Sequence, residues 1–410
     1  MPVYILATLD TKGHEAAFVQ QRLNSAGVAA VIVDSGCQGM PSVTADISRE
    51  DLFLAGGASV AELRQKGDRG LAVSTAARCA EALITARHAL GQVDGVIGLG
   101  GSAGTTIATT AMRALPLGLP KLMISTLASG QTRPYVGDKD ILMLNSVTDI
   151  LGINRISRKV LAEGANAMAG MVRFGQTVSP DSSADRPLIA ATMFGVTTPC
   201  VMKAKEILEE AGYEVIVFHA TGNGGQAMEA LIADGLIAGV LDITTTELAD
   251  ELVGGVLTAG PDRLTAAGKR GVPQLISVGA LDMVNFGPFE TVPAKFKDRK
   301  FYKHNANVTL MRTTPAENKL LGEEIGRKAA AARGPTTILV PTRGVSAIDN
   351  EEQPFDDPEA RDALREGLRE TAGAVELVEV DLHINDPQFA ELCARQLLEL
   401  IRSQTDRPAS

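Results

Sequence analysis

The sequence predicts an α/β protein built from two doubly wound, mostly parallel-sheet, Rossmann-like subdomains related by an internal duplication. Three observations predict it. Apolar runs of strand length alternate with segments of helical periodicity. The same strand, helix, strand order recurs in both halves, with local likenesses at matching places. A polar stretch rich in Ser, Asp and Pro, "VRFGQTVSPDSSADRP" at 172–187, separates the two sets. The expected bounds are 1–175 for the N-terminal subdomain and 185–410 for the C-terminal one, with a cleft between them.

The first half opens on "VYILATLD", an apolar run ending in a polar cluster. In "KGHEAAFVQQRLNSAG", Phe18, Val19, Arg22, Leu23 and Ala26 lie at helical spacing, and Gly27 supplies a stop. "VAAVIVDSG" is the next strand, which completes a βαβ unit whose strands are apolar on both faces. "VDGVIGLGG", "TTIATTAMRAL" and "PKLMISTLASG" then read as strand, helix and strand. The stretch 95–112 carries no charged side chain, yet it is rich in Gly, Ser and Thr with glycines gathered at one end. It is therefore a buried strand and turn and not a bilayer span.

In the second half "PLIAATMFGVTTPCVMKAKEILEEAGYEVIVF" repeats the opening unit, "AAT" matching "LAT" and "EEAGYEVIVF" matching "NSAGVAAVIV". "IAGVLDITTTELAD" takes the place of "VDGVIGLGGSAGTT", and "VPQLISVGALD" that of "LPKLMISTLASG". "DRKFYKHNANVTLMRTT" is expected to lead into a helix over 315–332. A strand in "TTILVPTRGVSAID", an acidic helix in "DDPEARDALREGLRETAG", and a last strand and helix close the second sheet.

Composition narrows the function classes. The chain has 410 residues, too many for one ordinary core, and 45% hydrophobic residues, enough for two. Aromatics make up 4%, with no Trp, and the net charge is −10; both oppose a nucleic-acid partner. The basic run Lys295, Lys297, Arg299, Lys300 and Lys303 reads first as a solvated face. Four scattered cysteines form neither a disulfide frame nor a zinc pattern, and no leader precedes the first strand, so a cytoplasmic protein without membrane contact is expected.

Ligands of open parallel sheets sit beyond the carboxyl ends of the strands, so polar clusters there are the candidate site. "GLGGSAGTT" fits the loose pattern G-x-G-x-x-G/A through Gly98, Gly100 and Ala103. However, no acid follows between Asp94 and Asp138 to hold a nicotinamide ribose. The P-loop lysine is missing too. What remains is an anion or phosphate site: Gly100, Gly101 and Gly104 allow close backbone approach, and Ser102, Thr105 and Thr106 supply hydroxyls at a helix N-terminus. The bland alternative is a tight, capped turn. Ser129 and Gly130 end the next strand beside Arg133, and Thr8, Asp10, Thr11, Lys12 and His14 follow the first; there Asp10 and Lys12 suit a ribose and a phosphate. In the second half, His219 and the glycines Gly222, Gly224 and Gly225 follow a strand. Asp242 on a strand and Glu247 opening a helix form a carboxylate pair for Mg²⁺ or for acid–base work, or else a simple helix start. Asp282 ends the next strand. His219, Glu247 and Asp282 are thus the catalytic candidates, and Asp242 with Glu247 the metal candidates.

The motifs "ATLDTKGHE", "GLGGSAGT", "TTTELADELVGGVLTAGPDRL", "GALDMVNFG", "HNANVTLMRTT" and "PTRGVSAID" together resemble the ATP-binding family named for the plant tobamovirus-resistance protein. The resemblance implies a two-subdomain α/β protein, ATP bound in the first subdomain, and a homodimer. It implies nucleotide contacts at Thr8, Asp10, Lys12, Gly100, Gly101, Ser102, Gly104, Thr105, Ser129 and Gly130. The plant relative continues into a C-terminal barrel domain that this sequence does not show. Three functions are therefore in competition. The first is an ATP-binding protein working on a small anionic metabolite in the cleft. The second is a non-catalytic nucleotide-responsive dimer. The third is an ATP-independent hydrolase or transferase acting on a sugar-acid-like substrate.

Overall fold

The computed structural model describes residues 1–175 and 186–405. The chain forms two compact units, Met1–Ser182 and Ser183–Ser410. The middle of the expected polar linker, 176–185, lies outside the described residues.

Unit 1 holds five parallel strands, β1 (Val3–Ala7), β2 (Ala30–Asp34), β3 (Gly95–Gly100), β4 (Lys121–Ser125) and β5 (Leu142–Asn145), in the order β2-β1-β3-β4-β5. Every residue of β1, β3 and β4 is buried, which is why these runs read as apolar without alternation. Successive side chains still go to opposite faces. Tyr4, Leu6 and Val96 pack with Ile84, Ile107 and Met112 on one side. Ile5, Ile97 and Leu99 pack with Val19, Leu23 and Met168 on the other. The stretch 95–112 is a fully buried strand, a glycine turn and the helix Ser102–Arg113.

The crossover from β2 to β3 runs through helices Arg49–Ala55, Val60–Lys66 and Arg69–Ala89, which the sequence reading did not identify. The last of these is Ala-rich, and its buried positions are mostly Ala, Thr and Cys, so hydrophobic periodicity barely marks its inner face.

Unit 2 contains β6 (Leu188–Met193), β7 (Glu214–His219), β8 (Gly239–Thr244), β9 (Gln274–Gly279), β10 (Met283–Phe286), β11 (Phe301–Asn305), β12 (Val308–Arg312), β13 (Thr336–Pro341) and β14 (Glu376–Val380). Its parallel sheet runs β14-β13-β9-β8-β6-β7. Counting only the parallel strands of each unit, and reading unit 2 from β7, both sheets begin 2-1-3-4-5, one of the two common doubly wound orders. This shared order fits the internal duplication expected from the sequence. In each unit the third strand of the series, β3 or β8, lies beside the first.

One element departs from expectation. Residues 283–312 do not lead straight into a helix but fold into a three-stranded antiparallel sheet, β10-β12-β11, inserted between β9 and β13. Its strands are four or five residues long, and Lys and Asn break the apolar pattern in β11. The basic run sits here: Arg299 pairs with Glu317 at 2.6 Å, and Lys303 lies 4.4 Å over the Phe289 ring. The helix that follows, Pro315–Ala330, starts on a capping box between Thr314 and Glu317. Among the described residues no helix is long and apolar enough to cross a membrane.

Candidate functional site

In unit 1 the loops after β1, β2 and β3 enclose a cavity of about 630 Å³. Thr8, Asp10 and Lys12 line it from the first loop, Ser35 to Gln38 from the second, and Gly100 to Gly104 from the third. The helices Leu9–Ser25, Arg69–Ala89 and Ser102–Arg113 all bring their N-terminal residues to this wall. Positive dipole ends therefore converge on one space.

The glycine turn is shaped by close approach. A Cβ on Gly104 would stand 2.8 Å from Leu99 O, and one on Gly100 2.9 Å from Gly104 Cα. No side chain caps the helix Ser102–Arg113, whose first ladder bond is Thr105 N to Gly101 O at 2.8 Å. The N–H groups of Ser102, Ala103 and Gly104 precede that bond and are the donors a helix start presents to an anion. Lys12 and Arg69 add cationic side chains to the lining, and Asp10 and Asp149 add carboxylates. Ala72, Val73, Ala76 and Ile107 form an apolar stretch of wall. Lys12 sits at a kink in its helix, with φ −128° and ψ 17°.

The loops themselves are fastened from behind. Asp34, at the end of β2, accepts from Leu9 N (3.1 Å), Gly36 N (2.9 Å) and Arg49 Nε (2.7 Å). This ties the first two loops together. Glu15, buried in the first helix, accepts from Gly152 N at 2.6 Å and so anchors the loop that carries Asp149. Burial and the Asp10 carboxylate push the Cys37 thiol up from its ordinary range.

Of the expected nucleotide contacts, Thr8, Asp10, Lys12, Gly100, Gly101, Ser102 and Gly104 line this one cavity. Four do not. Thr105 is buried and its hydroxyl shares a 2.7 Å hydrogen bond with Ser125 Oγ, which ties β4 to the turn. Thr106 donates to Ser102 O within its own helix at 2.9 Å. Ser129 and Gly130 line a separate depression of about 210 Å³ with Thr126, Gln131 and Tyr135. Arg49, Arg69, Cys37, Gln38 and Asp149 were not singled out from the sequence. Only the acid–glycine ending of β2, "VIVDSG", marked that loop at all.

In unit 2 the expected carboxylate cluster has another role. Arg263 is fully buried, and its Nη1 and Nη2 reach Asp242 Oδ2 and Oδ1 at 2.5 and 2.7 Å. Its Nε donates to Glu247 Oε2 at 2.7 Å. Burial works against the guanidinium charge, and the Asp242 carboxylate beside it more than compensates, holding Arg263 protonated. Glu247, which burial pushes up and Arg263 draws down, also accepts from Gly222 N (2.7 Å) and Gly225 N (3.1 Å). The glycine amides expected to face an external anion thus bind an internal one. The oxygens of Asp242 and Glu247 do not fit a cation site, because a guanidinium already occupies the space between them. Among the described residues no group of three or more His, Cys, Asp or Glu side chains is placed to hold a metal ion.

The three catalytic candidates are differently placed. His219 is exposed and its ring lies 5.7 Å from that of Phe194. Glu247 is spent on Arg263 and the glycine amides. Asp282 is fully buried, accepts from Ser346 Oγ at 2.8 Å through Oδ2, and leaves Oδ1 without a partner. Burial, and then the charge of Asp349, raise its pKa to about 7.

Comparison with known proteins agrees with the two-unit organisation. Residues 1–177 match the N-terminal domain, and residues 186–401 the C-terminal domain, of the uncharacterised protein family UPF0261. A UPF0261 protein of Clostridium tetani is 50% identical over 401 residues, 97% of this chain and 98% of that one. The ToMV resistance protein Tm-1 of Solanum lycopersicum is 45% identical over 337 residues, covering 81% of this chain and 45% of the tomato protein. Among solved structures, a putative UDP-N-acetylglucosamine 2-epimerase from Listeria monocytogenes aligns over 100% of this chain and 98% of its own. It does so at 14% identity and a TM-score of 0.24. The chain belongs to the UPF0261 family.

Proposed function

We propose that unit 1 binds ATP, with the phosphates at the turn Gly100 to Gly104 and the base against Ala72, Val73, Ala76 and Ile107. One observation carries the reading. Three helix N-termini, the side chains of Lys12 and Arg69 and an apolar wall meet in a single cavity. The donors suit a polyanion, and the apolar wall suits a flat base. The resemblance to an ATP-binding family points the same way. Titration calorimetry of the purified protein with ATP, with and without Mg²⁺, tests it. One saturable site per chain is expected, since the glycine amides of unit 2 are engaged by Glu247. The absence of binding heat would overturn the reading.

Whether the nucleotide is consumed or only sensed divides two versions. The engagement of Asp242 and Glu247 with Arg263 favours the version in which ATP is held without turnover and adjusts assembly as a homodimer. Sedimentation with and without ATP, beside an assay for released ADP, distinguishes them. A shift in mass without ADP supports the sensing version, and steady ADP release supports the enzymatic one.

A further inference from the structure

The first helix breaks where it meets the cavity, and the loop after β2 supplies the reason. Lys12, with φ −128° and ψ 17°, is the non-helical residue inside the span Leu9–Ser25. At the next residue a regular ladder runs from Gly13 N to Leu9 O. Ser42 intrudes on that acceptor. Its N–H donates to Leu9 O at 2.9 Å, and its hydroxyl donates to the same oxygen at 3.0 Å. A side chain that enters the ladder is a known cause of a kink. The intrusion also needs glycine opposite it: a Cβ on Gly13 would collide with Ser42 Oγ and stand 3.1 Å from Val43 Cγ2. Gly13 is not left-handed, so contact with this loop, and not backbone conformation, excludes a side chain there.

The kink carries a charge into the cavity. Lys12 lines it, and among the described residues its ammonium has no hydrogen-bond or ion-pair partner. Asp10 and Asp149 line the same cavity, yet neither pairs with it. With no ion pair to steer the side chain, its direction follows from the backbone it leaves, and Ser42 shapes that backbone. Ser42 itself does not line the cavity. We propose that Ser42 is a positioning residue for phosphate recognition, which through the kink at Lys12 aims a free ammonium at the phosphates held by the turn Gly100 to Gly104. This rests on the nucleotide reading above and adds to it a residue outside the cavity wall.

A double-mutant cycle on the full chain, read by ATP calorimetry, tests it. Lys12→Met should weaken ATP binding about 10- to 100-fold, the usual worth of a hydrogen bond to a charged group. Ser42→Ala removes a hydroxyl that does not touch the cavity. It should weaken ATP about 3- to 10-fold, since a hydrogen bond can pass on no more than its own worth. In the Lys12→Met background the same substitution should cost nothing, a result that a role confined to folding would not produce. Gly13→Ala expels Ser42 from the helix while leaving its hydroxyl intact. It should repeat both results, which guards against a Ser42 variant that fails to fold. An equal cost of Ser42→Ala in both backgrounds, or no cost in either, would overturn the positioning role and leave ATP binding standing. Heat from none of the proteins, wild type included, would overturn the nucleotide reading itself, and the positioning role with it.

Discussion

Arg263 and Asp242 form a two-pronged ion pair inside unit 2, at 2.5 and 2.7 Å, with both side chains at most 1% exposed. The same guanidinium holds Glu247, and Glu247 in turn holds the loop after β7 through Gly222 and Gly225. A pair that reads as a metal or acid–base motif is thus the internal counter-charge of a buried arginine. Removing one partner of such a network leaves uncompensated buried charge, whereas the intact network contributes modestly.

Arg263→Met should therefore destabilise unit 2 by about 3–5 kcal/mol, because two buried carboxylates lose their cation. Urea unfolding followed by circular dichroism measures it as a lower transition midpoint. An unchanged midpoint would show that the network is not holding the loop.

Stability should also depend on pH through Asp282. Burial and Asp349 raise its pKa to about 7, so the native state keeps a proton that the unfolded chain releases above about 4. The stability due to the neutral group is complete below the unfolded pKa and is lost as pH rises through about 7. Asp282→Asn keeps an acceptor for Ser346 and has no proton to lose. Its urea stability should fall less between pH 5 and pH 8 than that of the wild type, and an identical fall would rule Asp282 out as the titrating group.

Cys37 offers a direct view of the cavity. Cys79, Cys200 and Cys393 are buried, while Cys37 is half-buried on the cavity wall. Iodoacetamide on the native protein should modify Cys37 first, slowly at neutral pH because its thiol is pushed up, and faster as pH rises. Saturating ATP should slow that reaction severalfold, read by mass spectrometry of the peptide. Labelling indifferent to ATP would place the ligand elsewhere.

Much of the scaffold could be read from the sequence because doubly buried strands are apolar throughout and helix stops are glycines. β1, β3, β4, β6, β8 and β9 fall where their apolar runs lie, and Gly27, with φ +78°, ends the first helix region as expected. The glycine turn was visible because close backbone approach leaves only one residue type. The Ala-rich crossover was not, since alanine packs on any face and gives little periodicity. The strand β11 was hidden by the exposed Lys303, His304 and Asn305, and β10 and β12 by their shortness.

Partners far apart in the chain were the harder class. Glu247 and Asp242 looked free because Arg263, 16 residues beyond Glu247, has no local signature. Arg49 and Asp34 meet in the same way, 15 residues apart. A carboxylate seen in sequence shows its charge but not the cation that answers it.

The central claim is that the turn Gly100 to Gly104 holds the phosphates of a nucleotide, and Gly101→Val tests it most directly. Gly101 has φ −85° and ψ −151°, an extended conformation outside the left-handed region that favours glycine. Its Cβ would meet only Thr126 Oγ1, at an ordinary 3.5 Å, so the variant should fold. The added carbons would stand at the start of the helix whose N–H groups are the proposed phosphate donors. Calorimetry should give one saturable ATP site per chain in the wild type and no binding heat in the folded variant. Equal ATP affinity in both proteins would contradict the assignment.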